Sequence, residues 1–368
     1  MNFQFISMLN FLDLKPEAFG LDISDLSLKI IKLKKKGKFL DLACFGEMPV
    51  KPGLIEKGEV KNEEEVAKTI KEALTRINGG KLKTKKVIVS LPEEEAFLQV
   101  IQVPKMAAEE AKKAVFFEAE NYIPLPVEKV YLDSQIIPPI VDHLDHLDVL
   151  IAALPKETVD SYLSLVKKAG LEPLALEIES QAISRALVTN EMSREPLLLI
   201  DLGATRTSFI VFSGHSLRFT SSRPISGKHL TEIIAQTFKI DLKKAEEIKV
   251  TYGIEGNGKG IKILEALTPS LFELVKEIKQ CLVYHQTHAA HEHLPPNGKK
   301  IARVILCGGG ANLRGLSEFL SLQLNLSVEL GNPWANILPN HLKEVPRLSY
   351  QESLRYTTAL GLALRGIC

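Results

Sequence analysis

The 368-residue chain lacks an excess of either charge: 46 Lys and Arg stand against 45 Asp and Glu, a formal net charge of +1. That balance gives no counterion-release drive toward nucleic acid. Cysteine is scarce too. Cys44, Cys281, Cys307 and Cys368 are too scattered for a zinc signature or a disulfide framework, so a reducing, cytoplasmic setting fits. No apolar run approaches the ~20 residues that cross a bilayer. Residues 1–11 are apolar but carry neither a basic leader region nor a small-residue cleavage site, and Met8 is an alternative start to Met1. Membrane association is therefore expected only through partners.

What is present is ordinary globular composition, 45% hydrophobic and 25% charged, in a chain longer than one core usually organises. Two lobes are expected. Strand-like and helix-like segments alternate, which argues for an α/β protein. Residues 19–33 read as strand broken by a polar turn, and the lysine-rich stretch Lys32 to Lys38 as a solvated hairpin turn. Helical spacing marks 63–77, and 87–91 is a short buried strand. Residues 97–103, 130–137 and 147–154 (strands) with 107–122 and 156–169 (helices) look like a compact α+β insert within the first lobe. A second cluster follows: strands at 197–201, 208–212, 217–222 and 301–306, with helices at 228–238, 242–251, 268–288, 313–324 and 350–364.

The informative feature is a repeat. Asp22 to Lys29 and Asp201 to Ser208 each place an aspartate after an apolar strand, make a small polar turn, and return to an apolar strand. One such hairpin is an ordinary turn; two suggest lobes built on a common plan. The chemistry suits a polyphosphate, because turn amides cradle anionic oxygens and the aspartates can hold Mg²⁺ through its waters. Gly308, Gly309 and Gly310 follow a buried strand and let backbone lie against a flat ligand or phosphate, though the triplet alone is equally a tight turn. Glu246 and Lys249 share one helix face and can grip ribose or line a base pocket; the alternative is a solvated ion pair worth little.

Taken in order, these pieces are similar to the actin, heat-shock-70 and sugar-kinase superfamily. Within it the chain resembles the PilM family of type IV pilus assembly proteins over nearly its whole length. The specific segments are Gln102 to Met106, Glu118 to Pro126, Ser226-Gly227-Lys228, Ala245 to Gly253, Asn332-Pro333-Trp334 and Ala359 to Arg365. The resemblance implies a two-lobe, actin-like α/β fold of duplicated ribonuclease H-like domains, with an α+β insert like that of the cell-division protein FtsA. On that plan 1–18 is a tail, 19–83 the first lobe core (rejoined by about 173–192 and 346–368), 84–172 the insert, and 193–345 the second lobe with a helical subdomain at about 228–298.

The resemblance also implies ATP and Mg²⁺. Asp22 and Asp201 would face the metal, with Ser24, Asp25, Gly203, Ala204 and Thr205 in the phosphate turns and Lys29 facing phosphate. Gly227 and Lys228 would lie near the phosphates, Glu246 and Lys249 at ribose and base, and the Gly308 to Gly310 triplet beside the adenosine. Two departures bear on affinity and turnover. Ser24 stands where the family's first hairpin carries glycine, followed by an acidic Asp25 that would repel phosphate if turned inward. His229 stands where an acidic or amide residue is common. Hydrolysis also needs a group to orient water. Glu179 is the one candidate, and a carboxylate favoured at a helix N-terminus is its plain alternative. Slow or no turnover is implied.

The family further implies a partner: the cytosolic N-terminal tail of a PilN-like inner-membrane protein, in a groove between first lobe and insert, with Tyr122, Ile123 and Leu125 held toward it by Pro124 and Pro126. Phe116 and Phe117 are expected in the insert's own core. Self-association is a further possible contact, and an FtsA-like membrane filament and a small-molecule kinase are the alternative roles. The histidines at 285, 288, 291 and 293, and His143 with His146 at an expected hairpin tip, are assigned no metal.

Overall fold

The structure, a computed structural model, describes residues 17–37, 39–139, 145–256, 258–288, 300–338 and 346–367. Nearly all of the expected 1–18 tail, the choice between Met1 and Met8, Lys38, His143, His291 and His293 lie outside the described residues.

Two sheets organise the chain. In the first lobe the order is Glu172–Ile178, Lys86–Leu91, Phe19–Ile23, Ser27–Lys36, Phe39–Pro49 and Asn78–Gly79. In the second it is Ser327–Leu330, Arg303–Cys307, Ser193–Leu202, Thr207–Gly214 and Ser216–Arg223. Each sheet runs parallel across its first three strands and antiparallel across the next two. The duplication read from two short motifs is thus a duplication of whole sheets, with each aspartate at the end of the central strand.

The second-lobe strands are near-continuous apolar runs because both faces are covered. Leu197 and Leu199 pack into the first lobe's core, while Leu198 and Ile200 face the second lobe's own helices. Helices Glu63–Thr75 and Lys156–Lys168 lie together on the first-lobe sheet, and helices Glu179–Leu187 and Thr357–Arg365 also pack on that sheet and on each other. Gly361 permits that second pair, since a Cβ there would stand 1.8 Å from the Ala182 carbonyl.

The insert is smaller than the sequence suggested. Its sheet is Phe97–Pro104, His146–Pro155 and Val130–Ile136, with helix Ala108–Ala119 across one face. Residues 86–91 pair in the first-lobe sheet, and helix Lys156–Lys168 packs on helix Glu63–Thr75. Both therefore belong to the first lobe, and the insert is about 93–155. A buried ion pair, Arg218 to Asp148 at 3.3 Å, ties the insert to the second lobe.

Three local expectations fail for physical reasons. Lys32 is buried rather than solvated: its ammonium pairs with Glu17 at 2.9 Å and donates to the Ala18 carbonyl at 3.1 Å, offsetting its desolvation. The helix expected from Thr268 begins at Lys259 and carries Pro269 inside it. The buried stripe Ile263, Leu267, Leu271, Leu274 and Ile278 spans the proline, and that burial outweighs a penalty of about 3 kcal/mol. Phe116 and Phe117 are 48% and 71% exposed, while Ile123, expected at the partner surface, is 7% exposed in the insert's core.

Candidate functional site

The two aspartate hairpins face each other across a cleft between the lobes. In the first, Asp22 pairs in register with Lys29, whose ammonium lies 3.4 Å from the Asp22 carboxylate and 2.8 Å from Ser27 Oγ. Buried Ser90, on the neighbouring parallel strand, accepts from the Ile23 N–H and donates to Asp22. The turn closes by the Ser24 N–H donating to the Ser27 carbonyl at 3.0 Å.

The departure at Ser24 and Asp25 is accommodated. The Ser24 hydroxyl folds back to donate to the Ser27 carbonyl. Asp25 is buried, and its carboxylate accepts from the Lys57 and Gly58 N–H groups and from Arg206. Its charge is committed to those donors, so the expected repulsion of phosphate is much reduced.

In the second hairpin Asp201 pairs in register with Ser208, and the Gly203 N–H donates to the Arg206 carbonyl at 2.9 Å. The helix Gly227–Phe238 docks on this turn: the Gly227 and Lys228 N–H groups donate to the Gly203 and Ala204 carbonyls, both at 3.0 Å. Ser226 caps it by accepting from the His229 N–H. Gly308 adopts a φ of +81°, and a Cβ there would fall 2.2 Å from the Asp201 carboxylate. This position requires glycine.

Asp22, Ser24, Asp25, Lys29 and Glu179 of the first lobe line the cleft with Asp201, Gly203, Ala204, Thr205, Gly308 and Gly309 of the second. An adjoining cavity shares Gly203, Ala204 and Gly309, and adds Gly227, Lys228, Glu246, Lys249 and Gly310. Every residue assigned to the nucleotide or metal from sequence therefore falls on one continuous hollow. Lys249 is more than a solvated charge: it is buried, 2.7 Å from Glu246, and donates to the Gly227 carbonyl and Thr231 Oγ1. Tyr122, Ile123 and Leu125 lie elsewhere, on the insert. A separate polar cavity where the insert meets both lobes is walled by Asp133, Gln135, Gln181, Arg185 and His215.

The electrostatics of the cleft are unbalanced. Burial, then the charge of Asp22, pushes the Asp201 carboxyl up to about 6. Burial and the charges of Asp22 and Asp201 push Glu179 well above the carboxylate range, and burial raises Glu93. Asp201 and Glu179 keep some accessible surface, but only on the narrow cleft, so bulk water does little to relieve them. Among the described residues, Lys29 is the cation that moderates both. Such a donor set fits a divalent cation with oxygen ligands. Among the described residues no three His, Cys, Asp or Glu side chains gather into a complete metal site, so phosphate and water would have to supply most of the ligands.

Sequence reasoning passed over Ser90, Glu93, Glu94, Arg206 and Arg355. Arg206 stood inside the second motif and was the only cation in it, a signal available in advance. Arg355, which lines both hollows and pairs with Glu47 at 3.0 Å, left no signal in its local sequence.

Two equivalent sheets closing on a cleft with paired aspartate turns define an actin-like protein. Residues 20–367 match the family described as type IV pilus assembly protein PilM, and the chain belongs to that family. It is similar to the solved "PilM-PilN type IV pilus biogenesis complex", at 32% identity and a TM-score of 0.78 over 96% of this chain and 99% of that one. It shares its fold with MreB5 of Spiroplasma citri, solved with AMPPNP, at 12% identity and a TM-score of 0.55 over 95% of each chain. Among curated proteins it is 26% identical over 219 residues to cell division protein FtsA of Pseudomonas aeruginosa, covering 55% of this chain. That match spans about half (49%) of the relative's length. No helix among the described residues is long and apolar enough to cross a membrane.

Proposed function

We propose that this chain is a nucleotide-loaded scaffold of a type IV pilus assembly platform, holding ATP with Mg²⁺ between its lobes. The observation that carries the reading is the convergence of two duplicated turns on the carboxylates of Asp22 and Asp201, with Lys29 their shared cation among the described residues. When bound, Mg²⁺ would neutralise those carboxylates together with the phosphates. Asp22 and Asp201 would orient the metal's waters, the amides of both turns and Lys29 would take phosphate oxygens, and Glu246 with Lys249 would face ribose and base. Calorimetry with Mg-ATP tests this: Asp201→Ala is expected to weaken binding at least about tenfold, or about 1.4 kcal/mol. Wild-type affinity in that variant would remove the placement.

Turnover in isolation is expected to be slow or absent. Burial and the charges of Asp22 and Asp201 disfavour the ionised form of Glu179, the form that would accept a proton from water. A phosphate-release rate above about one per second would contradict this.

The proposal extends to a partner, the cytosolic tail of a PilN-like membrane protein, which would give a cytoplasmic chain its only tie to the inner membrane. Support comes from the similarity to a complex named for PilM and PilN. Exposed Tyr122 and Leu125 (47% and 42%) are the accessible anchors; Ile123 holds the loop from beneath. A tail peptide titrated against Tyr122→Ala/Leu125→Ala should bind about tenfold more weakly while the melting temperature holds. Unchanged affinity would move the groove, with the polar cavity beside Asp133 and Gln135 as the next surface to test.

A further inference from the structure

Arg206 connects three parts of the molecule. It closes the second hairpin's turn through its carbonyl, and its side chain crosses to the first lobe. There one terminal nitrogen donates to Asp25 of the first hairpin at 3.1 Å, and the other meets the carboxylate of Glu94. The side chain is 16% exposed and lines the same cleft as Lys29, Ser24 and Thr205.

The partners differ in how they would tolerate losing it. Asp25 keeps the Gly58 N–H at 3.0 Å and the Lys57 N–H at 3.3 Å, so it stays satisfied when Arg206 moves. Glu94 belongs to the short turn Glu93–Glu95, directly before the insert's first strand, Phe97–Pro104. Its neighbour Glu93 is buried and accepts from the Ser180 N–H of the first lobe, and its turn packs on strand Ser216–Arg223 of the second. The root of the insert is thus gripped from both lobes, and Arg206 is the part of that grip which also faces the cleft. Lys29 makes no such link to the insert, since its ammonium bonds to Asp22 and Ser27 within its own hairpin.

We propose that Arg206 reads the terminal phosphate of a bound nucleoside triphosphate and, by leaving Glu94 for it, reports that phosphate to the insert. This rests on the nucleotide reading above. A guanidinium offers a planar fork of donors that matches a phosphate's oxygens in pairs, and a terminal phosphate outcompetes a single carboxylate for it. A diphosphate lacks that group and leaves Arg206 on Asp25 and Glu94. Arg206 is therefore a specificity and positioning residue, and the insert, which carries the proposed partner surface, senses which nucleotide is bound.

The test titrates the full chain with the Mg²⁺ complexes of AMPPNP and of ADP, and follows hydrogen exchange over residues 93–104 in each complex. Wild type should bind both and exchange differently in the two. Arg206→Ala should weaken AMPPNP about tenfold and ADP less than about threefold, and abolish the exchange difference; Arg206→Lys should recover part of the preference. Glu94→Gln removes the competing carboxylate, so it should tighten AMPPNP about threefold while also abolishing the exchange difference. A purely structural ion pair predicts the opposite sign for Glu94→Gln and an equal loss for both nucleotides in Arg206→Ala. Either result overturns the assignment, as does an unchanged AMPPNP preference in Arg206→Ala. If Arg206→Ala has no cooperative melting transition, the sign of the Glu94→Gln effect decides. Wild type that binds neither complex overturns the nucleotide reading itself, and this one with it.

Discussion

The two hairpins are built on one plan and handle charge differently. The first neutralises its aspartate from within: Lys29 stands opposite Asp22 in the register, and Ser90 donates to it from the next strand. The second places Ser208 opposite Asp201, whose carboxylate accepts from the Cys307 thiol at 3.8 Å, and the Asp201 carboxyl rises to about 6. Their turns differ as well. Both close by a main-chain bond, but the first adds side-chain bonds of Ser24 to Ser27, while the second is clamped by main-chain bonds to the helix Gly227–Phe238. Duplication thus supplied the geometry twice, and divergence left one half charge-balanced and the other short of a cation.

The harshest way to break that comparison is at Gly308, the residue that lets backbone approach Asp201. Gly308→Ala combines a left-handed φ with a Cβ against a carboxylate, and should cost about 3 kcal/mol, measured by denaturant unfolding. Ser24→Gly, in the first turn, should change stability by less than about 1 kcal/mol, since it trades one local hydrogen bond for freedom.

A second contrast is between the aspartates. Asp22→Asn should leave Lys29 without its main partner and weaken Mg-nucleotide binding less than Asp201→Asn does, by about threefold against about tenfold in calorimetry. Equal losses would mean that both carboxylates serve the metal alike.

The pH response sharpens the same point. A carboxyl raised from 3.8 to about 6 contributes stability that is complete below the lower value and lost as pH rises through the higher one. The ligand-free protein should therefore lose stability from about pH 4 to pH 6 on this account. Mg²⁺ needs the ionised carboxylate, so its binding should strengthen over the same window, by up to about tenfold per pH unit. Melting curves with and without Mg-nucleotide should diverge as pH rises, and Asp201→Asn should flatten the divergence. The smallest expected effect is Ser24→Gly on nucleotide affinity, within about threefold, because the hydroxyl already faces its own turn.

The site was largely legible because its chemistry is local in sequence. An aspartate ending an apolar strand, a small turn and a glycine triplet are short-range signals, and the fold brings them to one hollow. The insert's limits were not legible. Residues 86–91 are a short apolar strand that would suit either sheet, and only the parallel pairing with Phe19–Ile23 and Glu172–Ile178 assigns it. Phe116 and Phe117 are read by hydrophobicity and Ile123 by its place beside Pro124, and neither says which side of a helix or loop meets the sheet. Helix Ala108–Ala119 turns Ala111, Val115 and Ala119 inward and leaves the phenylalanines outside.

By itself the sequence determined the alternation of elements, the duplicated plan and the residue types around the cleft, since propensity, periodicity and turn chemistry act over a few residues. Only the tertiary structure decided how those residues are charged and paired. Lys32 becomes a buried ion pair, Asp25 turns from a threat to phosphate into a bonded carboxylate, and Arg206 reaches from one lobe to the turn that roots the insert. Desolvation and Coulombic coupling depend on what lies within a few ångströms, and the partners that set them here are up to 181 positions apart along the chain.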